Sequence, residues 1–304
     1  MKQVIILGSE GFIGSNLVQH FVSRGYETAG CDLYEGIVRG YTYFKVSRLS
    51  PEWDEVFSGK QYDYCINAAG SGNVPYSMTH PFIDFESNTL DTLRVLDAIR
   101  RFNPGCRYIH ISSAAVYGNP DKLPVTEDAP KQPLSPYGWH KLMAEQICGE
   151  YSTVYGLATA IVRPFSVYGP GLKKQIFWDV FQKIKTNPSA IELWGTGGET
   201  RDFVYITDLA NCIEIVARQA SMKGEVYNIA SGTETKIKEA VEIFISCLQT
   251  ATIPTFNNHV REGDPLQWRA DITKVKNMGF VAETTLAKGL MQFSGWLKTI
   301  ITAL

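Results

Sequence analysis

The first half of the chain alternates short apolar runs with segments of helical periodicity. The run from Val4 to Leu7 precedes apolar residues at positions 13, 17, 18, 21 and 22, a pattern that predicts a strand, a turn and an amphipathic helix. The same reasoning predicts further strands at 26–31, 41–46, 62–67, 107–111 and 158–162, helices at 51–57 and 82–102, and a helix that begins at Ser135. Strands that alternate with helices indicate an α/β protein with a doubly wound parallel sheet.

The second half is less regular. Its apolar positions predict helices at 175–186, 208–220, 236–249 and 286–300, with short strands at 191–194, 203–205 and 225–230. No repeat or Pro/Gly-rich linker separates the two halves. We therefore predict one domain over residues 1–165, to which 206–230 return, and a smaller α/β lobe over 166–304 that packs on the sheet.

Composition and charge narrow the classes of partner. The chain has 304 residues with 29 Lys+Arg against 31 Asp+Glu, a net charge of −2, which argues against nucleic acid or an anionic membrane as the main partner. The six cysteines form no Cys-x-x-Cys motif and no Cys/His cluster, so we predict reduced core residues and no metal. The chain opens with a strand, and no apolar run reaches membrane-spanning length. The expected location is the cytoplasm.

A glycine turn follows the first strand. Glycines in such a turn let backbone N–H groups approach a pyrophosphate at the start of a helix. The residues concerned are Gly8, Gly11, Phe12, Ile13 and Gly14. Asp32 ends the second strand, where a carboxylate accepts hydrogen bonds from the ribose hydroxyls and repels a 2′-phosphate, so NAD is favoured. Because the cation Arg39 lies downstream of Asp32, NADP is kept as an alternative cofactor.

The segment Ser135 to Lys141 carries the candidate proton chemistry. Ser135 is suited to the N-cap and Pro136 to the first helical position, which puts Tyr137 and Lys141 one turn apart on the same face. A neighbouring ammonium ion and the positive end of the helix favour phenolate, so we predict a lowered pKa for Tyr137. Ser112 and Ser113 follow the strand 107–111 at the sheet edge where reacting groups lie, and a serine there can hydrogen-bond the same substrate oxygen.

Together these motifs resemble the extended short-chain dehydrogenase/reductase family, in its nucleotide-sugar epimerase and dehydratase branch, over nearly the whole chain. The resemblance implies a Rossmann-like domain with a substrate-binding lobe, bound NAD, and catalysis by Ser113, Tyr137 and Lys141. Tyr137 is then the acid/base, and Lys141 binds the nicotinamide ribose. The other cofactor-binding residues that the resemblance implies are Ala68, Ala69, Gly70, Asn88 and Pro164.

The resemblance also locates a nucleotide-diphosphate sugar in the second half. It implies that Arg201 contacts the nucleotide, Arg261 the diphosphate and Asp264 the ribose, and guanidinium groups match phosphate oxygens in a bidentate manner. Trp194 is expected near the base, with a core tryptophan as the alternative, and Gln175 near the sugar or diphosphate. Ser166 stands where epimerases commonly have asparagine.

The residues after Ser113 separate the possible reactions. The 4,6-dehydratases carry Asp-Glu there, and the uronate decarboxylases a glutamate, whereas this chain has Ala114 and Ala115, which cannot move a proton. A 4-epimerase with bound NAD is the favoured reading, since this segment is similar to that of the UDP-galactose 4-epimerases. A NAD(P)H-dependent 4-ketoreductase remains open, and a catalytically silent NAD-binding regulator is a third reading. The family resemblance also implies a homodimer formed through helices 82–102 and 135–155.

Overall fold

The protein is described by a computed structural model that covers residues 1–34, 40–47, 53–259 and 263–302. These residues form the following strands: β1 (Gln3–Leu7), β2 (Glu27–Asp32), β3 (Thr42–Lys45), β4 (Tyr64–Asn67), β5 (Arg107–Ile111), β6 (Thr159–Pro164), β7 (Ser166–Tyr168), β8 (Ala190–Leu193), β9 (Thr200–Tyr205), β10 (Lys223–Ile229), β11 (Glu234–Lys236) and β12 (Ile253–Phe256). The α-helices are α1 (Phe12–Ser23), α2 (Trp53–Ser58), α3 (Val74–Thr79), α4 (Pro81–Phe85), α5 (Asp91–Phe102), α6 (Pro136–Tyr155), α7 (Gln175–Thr186), α8 (Ile206–Gln219), α9 (Ile237–Leu248), α10 (Thr273–Asn277) and α11 (Leu286–Thr302).

The centre of the fold is a seven-stranded sheet in the order β10-β6-β5-β4-β1-β2-β3. Every neighbouring pair in it is parallel, as the alternation of strands and helices predicts. The order reverses between β1 and β4, so their carboxyl ends open a crevice of the kind in which doubly wound sheets bind ligands. The predicted Rossmann-like fold is therefore confirmed.

The sheet is buried on both faces. Val4 and Ile6 of β1 belong to one apolar core, and Ile5 and Leu7 belong to the other. Helices α1 and α8 pack against each other over the first core, whereas α2, α5 and α6 cover the second. Burial of both faces explains why β1 appears in the sequence as a continuous apolar run without alternation.

The second half contributes two small sheets. One has the order β11-β9-β7, and the other pairs β12 with β8. In contrast, α8 packs on β5 and β6, and β10 extends the central sheet beside β6. The helices α9 and α11 pack against each other beside the small sheets.

Short elements account for most differences from the predicted pattern. The expected helix 82–102 begins at Pro81 and contains a π-helical turn, Glu86–Leu90, between α4 and α5. The elements α3, α10, β7, β11 and β12 were not predicted, because segments of three to six residues show too few apolar repeats to reveal a period.

All six cysteines are free, and five of them are buried. Among the described residues, no helix combines the length and apolar character needed to cross a membrane.

Candidate active site

Helix α6 begins as its sequence predicts. Ser135 is its N-cap, with the Oγ accepting a hydrogen bond from Gly138 N at 3.2 Å, and Pro136 occupies the first turn. The backbone N–H of Tyr137 donates to Ser77 Oγ of α3 at 3.2 Å. Tyr137 and Lys141 are both buried, one turn apart on the face directed at the sheet.

The structure brings Ser113, Tyr137 and Lys141 together at the carboxyl end of β5. Lys141 Nζ donates a hydrogen bond to the Ile111 carbonyl at 3.0 Å, and the Ser113 side chain lies close enough to Tyr137 to lower its pKa as a hydrogen-bond donor. Ser113 Oγ also accepts from Ala115 N at 3.1 Å, which fixes the serine at the start of a short 3₁₀ turn. A phenol, an amine and a hydroxyl thus lie at the same end of β5.

Burial dominates the electrostatics of this cluster. It raises the pKa of Tyr137 to about 12, against the lowering effect of the hydrogen bond from Ser113, and the charge of Asp84 raises the same pKa further. Burial also lowers the pKa of Lys141 to about 8, and Asp84 opposes that change. The predicted lowering of the Tyr137 pKa by Lys141 and the helix dipole is therefore wrong for this structure, because the loss of hydration raises that pKa and only the Ser113 hydrogen bond opposes it.

The glycine turn has the close contacts that the motif requires. A Cβ at Gly14 would lie 1.9 Å from Gly8 O, and one at Gly8, where φ is +75°, would lie 2.7 Å from Ala69 Cα. Gly11 is the N-cap of α1, and Phe12 and Ile13 form its first turn. Only glycine at these positions lets the turn, the helix and the β4 loop approach one another.

Asp32 lies beside the same turn at the end of β2. Its Oδ2 accepts from Glu10 N at 2.8 Å and its Oδ1 from Leu33 N at 2.7 Å. Each oxygen keeps a further lone pair for a ligand hydroxyl. The carboxylate is thereby held rigidly at the mouth of the crevice between β1 and β4.

Ala68, Ala69 and Gly70 follow β4 and form the opposite wall of the crevice. Ala69 N donates to Asn67 Oδ1 at 3.0 Å, and a Cβ at Gly70, where φ is +105°, would lie 2.5 Å from Asn88 Oδ1. Asn88 lies in the π-helical turn, buried, and donates to the carbonyls of Ser71 and Asp84. The β4 loop and the π-helical turn are therefore fixed to each other.

The residues after β6 extend toward the second lobe. Pro164 ends β6 opposite Ile229, and Ser166 begins β7 opposite Phe203 of β9. Gln175 is the exposed first residue of α7, with a φ of +66°. Lys174 precedes it and donates to the Gly72 carbonyl at 3.1 Å, which brings this loop over the β4 side of the crevice.

The predicted nucleotide-binding side chains lie on and around β9. Arg201 stacks on Trp268, with its guanidinium carbon 5.6 Å from the ring centre. Burial lowers the pKa of Arg201, and the charge of Asp264 opposes that effect, which places these two predicted residues in one electrostatic neighbourhood. Trp194 is 53% exposed, so it is not the core tryptophan of the alternative reading. Arg39 and Arg261 lie outside the described residues.

The residues present fit a bound dinucleotide. The main chain of the glycine turn, at the start of α1, forms a cradle that any side chain would fill, and a cradle of this kind suits a pyrophosphate. A fixed carboxylate at Asp32 suits a ribose diol, and the buried ammonium ion of Lys141 lies across the crevice from it. The described residues contain no group of three or more His, Cys, Asp and Glu side chains placed to hold a metal ion.

Two buried groups beside the site were not predicted. Asp84 Oδ2 lies 2.6 Å from Nδ1 of His140, the residue before Lys141. Arg163 forms a two-pronged ion pair with Glu145, one turn beyond Lys141 on α6. The sequence could have placed Glu145 near the site, because it lies one helical turn after Lys141 on the same face of α6. The contact between Asp84 and His140 could not be predicted, because the two residues are far apart in the sequence.

Comparison with known proteins adds independent evidence. A sequence profile of the NAD dependent epimerase/dehydratase family matches residues 4–230. A Methanocaldococcus jannaschii protein named "Putative UDP-glucose 4-epimerase" is 30% identical, over 97% of this chain and 98% of that protein. The UDP-glucose 4-epimerase of Mycolicibacterium smegmatis is 26% identical over 95% of this chain and 96% of its own. The crystal structure of UDP-glucuronic acid 4-epimerase from Bacillus cereus, in complex with UDP-glucuronic acid and NAD, has a TM-score of 0.89 and 25% identity and covers 98% of this chain and 99% of its own.

Proposed function

The chain belongs to the NAD dependent epimerase/dehydratase family, and from that premise we propose that it is a nucleotide-diphosphate-sugar 4-epimerase that works with bound NAD. The observation that carries the proposal is the convergence of Ser113, Tyr137 and Lys141 at the carboxyl end of β5, with alanine at both following positions. Of these three side chains, Tyr137 transfers the proton, and Ser113 and Lys141 assist it. Ala114 and Ala115, which follow Ser113, cannot supply the second acid or base that dehydration or decarboxylation needs.

The cofactor-binding roles follow from the crevice. When bound, NAD accepts a hydride from the sugar C4 and returns it. The N–H groups of the glycine turn would hold the pyrophosphate, and the Asp32 carboxylate would accept hydrogen bonds from the adenosine ribose hydroxyls. Lys141 donates to the nicotinamide ribose. Because the Asp32 carboxylate is held between two backbone N–H groups, a 2′-phosphate would meet a fixed negative charge, and this supports NAD over NADP.

Tyr137 is the residue that moves the proton. As the phenolate, Tyr137 takes the proton of the C4 hydroxyl, and the phenol that results later returns this proton to the C4 oxygen of the epimer. Ser113, hydrogen-bonded to Tyr137, orients the same C4 oxygen. Lys141, one turn further along α6, donates to the Ile111 carbonyl at the end of β5 and so stays at the same edge of the sheet. The pair is buried, so water competes poorly for this proton.

The substrate class is proposed from the relatives and from the second lobe. Arg201, Asp264 and the exposed Trp194 lie around β8 and β9, where they offer a cation, a carboxylate and an aromatic face to one nucleotide. The relatives described above are named for UDP-glucose and UDP-glucuronic acid. We therefore propose a UDP-linked hexose, with Arg261 and Gln175 as diphosphate or sugar contacts.

The deciding experiment uses the purified protein without added cofactor. Incubation with a panel of UDP-sugars, read by NMR, is expected to give a mixture of C4 epimers, and bound NAD is expected in the nucleotide extracted from the protein. Turnover that occurs only on a 4-keto sugar with added NADH or NADPH would replace this proposal with a 4-ketoreductase. Cofactor binding without any turnover on the panel would favour the regulatory reading.

We also propose a cytoplasmic homodimer. Large apolar side chains are exposed on the outer faces of α4, α5 and α6: Phe82 is 71% exposed, Trp139 49%, Met143 38% and Leu93 36%. Exposed apolar groups clustered on neighbouring helices are typical of an interface. Sedimentation is expected to show a dimer for the wild type and a monomer for Trp139→Glu, and a monomeric wild type at micromolar concentration would contradict the dimer.

A further inference from the structure

Trp268 lies between the loop that carries Ser113 and the arginine predicted to bind the nucleotide. The residue is 8% exposed, and its indole N–H donates to the Gly118 carbonyl at 3.0 Å. Because Gly118 ends the segment that starts at Ser113, this hydrogen bond attaches the indole to the loop 113–118. Phe165, which follows β6, packs edge-on against the same indole at 5.6 Å between ring centres. The indole is therefore fixed beside the carboxyl edge of the central sheet.

Backbone contacts hold Trp268 against β9. Trp268 N donates to the Thr200 carbonyl at 3.2 Å, and Thr200 N donates to the Leu266 carbonyl at 3.0 Å. Ala270 N donates to the buried carboxylate of Asp202, also on β9, at 3.0 Å. The residues on either side of Trp268 are thus bonded to β9, and its indole connects that strand to the loop 113–118.

Arg201 of β9 lies over the face of the same indole. Its guanidinium carbon is 5.6 Å from the ring centre, and its Nη1 donates to the Thr200 carbonyl at 2.8 Å. A cation within about 6 Å of an aromatic ring centre is attracted by the negative face of the ring. The ring contacts the guanidinium face, whereas the N–H donors lie in the guanidinium plane and can still bind phosphate oxygens. The indole therefore orients Arg201 without using its hydrogen-bond donors.

We propose that Trp268 is a positioning residue for the substrate: its ring holds the Arg201 guanidinium group in the orientation that binds the nucleotide, and its N–H fixes this arginine relative to the loop that carries Ser113. The inference rests on the function proposed above, in which Arg201 contacts the nucleotide of a UDP-sugar. The sugar ring lies between the nucleotide and Ser113. One side chain thus fixes both ends of the space that the substrate spans.

Calorimetry with UDP tests the inference, because UDP binding requires no turnover. In Trp268→Leu the dissociation constant for UDP is expected to rise by about five- to thirtyfold, since the guanidinium group loses the aromatic face. Trp268→Phe keeps an aromatic face but loses the N–H, so it is expected to unfold more easily and to retain the UDP affinity within about threefold. If Trp268→Leu does not fold, Trp268→Met removes the aromatic face with a smaller loss of volume.

A double-mutant cycle separates positioning from a general loss of packing. Arg201→Met is expected to weaken UDP binding. Adding Trp268→Leu to Arg201→Met is expected to change the dissociation constant by less than about twofold, because the guanidinium group on which the ring acts is already absent. Trp296→Leu is the matched control: Trp296 is a partly buried tryptophan of α11 that stacks on Phe293, and its loss is expected to leave the UDP affinity unchanged.

The inference is overturned if folded Trp268→Leu binds UDP as tightly as the wild type, or if Trp268→Phe loses as much affinity as Trp268→Leu. It is also overturned if Trp268→Leu costs the same factor with and without Arg201. Unchanged UDP affinity in Arg201→Met would overturn it as well, because Arg201 would then not contact the nucleotide. If the wild type binds UDP but epimerises no UDP-sugar, the proposed reaction fails, and the cycle still decides the role of Trp268.

Discussion

The ion pair between Arg163 and Glu145 allows a quantitative test of what stabilises the fold next to the catalytic residues of α6. The two side chains are 2% and 5% exposed. Arg163 Nε and Nη2 donate to the two Glu145 carboxylate oxygens at 2.8 and 2.5 Å, and Nη1 donates to Tyr117 OH at 2.7 Å and to the Glu127 carbonyl at 3.0 Å. Burial works against the Arg163 charge, but the hydrogen bonds to Glu145 outweigh it and raise the Arg163 pKa above its usual value.

The change Arg163→Met removes the cation and keeps much of the side-chain volume. Glu145 is then a buried carboxylate whose remaining hydrogen bond comes from Ser112 Oγ at 2.5 Å. Removal of one partner from a buried pair costs about 3–5 kcal/mol, a large part of the roughly 5–15 kcal/mol that stabilises a typical domain. Chemical denaturation should therefore show a much lower free energy of unfolding for Arg163→Met.

The double variant Arg163→Met/Glu145→Leu makes the prediction specific. It removes the stranded charge, so it is expected to recover part of the loss and to unfold at higher denaturant concentration than Arg163→Met. A loss below about 1 kcal/mol in the single variant would mean that water reaches Glu145. If the double variant is less stable than the single one, lost packing rather than the unpaired charge explains the lower free energy of unfolding.

Three further changes test the site. Tyr137→Phe should leave the fold and NAD binding intact but lower kcat by about 10²–10⁴-fold, and an NMR assay that shows near-normal epimerisation would remove Tyr137 as the proton carrier. Gly14→Ala places a methyl group 1.9 Å from Gly8 O, and the resulting strain of about 1–3 kcal/mol should weaken NAD binding by roughly tenfold to a hundredfold in calorimetry; Gly295→Ala, in an open helical position, serves as the neutral control. Asp32→Ala should lose charge-assisted hydrogen bonds of about 1.5–3 kcal/mol to the ribose and narrow the preference for NAD over NADP, and an unchanged ratio of the two affinities would contradict its role.

The parts of the fold that the sequence predicted are those with a strong local signal. The strand β1, the glycine turn and α1 combine an apolar run, close-packed glycines and a clear helical period, and each agrees with the others. Helix α6 was placed correctly because Ser135 and Pro136 mark its start. The short strands β7, β11 and β12 are stabilised by pairing with distant segments, and nothing in their three or four residues indicates it.

The same distinction applies to the site. Ser113, Tyr137 and Lys141 were predicted to meet because the end of β5 and the start of α6 must both lie at the carboxyl edge of a parallel sheet. The partnership of Asp84 with His140 depends on how the π-helical turn directs α4 against α6 across 56 residues of sequence. A contact of this kind requires the packing of three helices to be known, and no local pattern encodes it.

The wrong prediction for the Tyr137 pKa shows that the spacing of two residues does not determine their protonation states. A helical interval of four residues fixes which side chains share a face, but it does not fix how much water they retain. In the folded protein the loss of hydration raises the Tyr137 pKa to about 12 and lowers that of Lys141 to about 8, so each residue taken alone is driven toward its neutral form. The phenolate–ammonium form therefore needs support from further charges, and Asp84 supports only the ammonium half. Among the described residues, only the hydrogen bond from Ser113 lowers the Tyr137 pKa, so the spacing of Tyr137 and Lys141 does not by itself produce the phenolate.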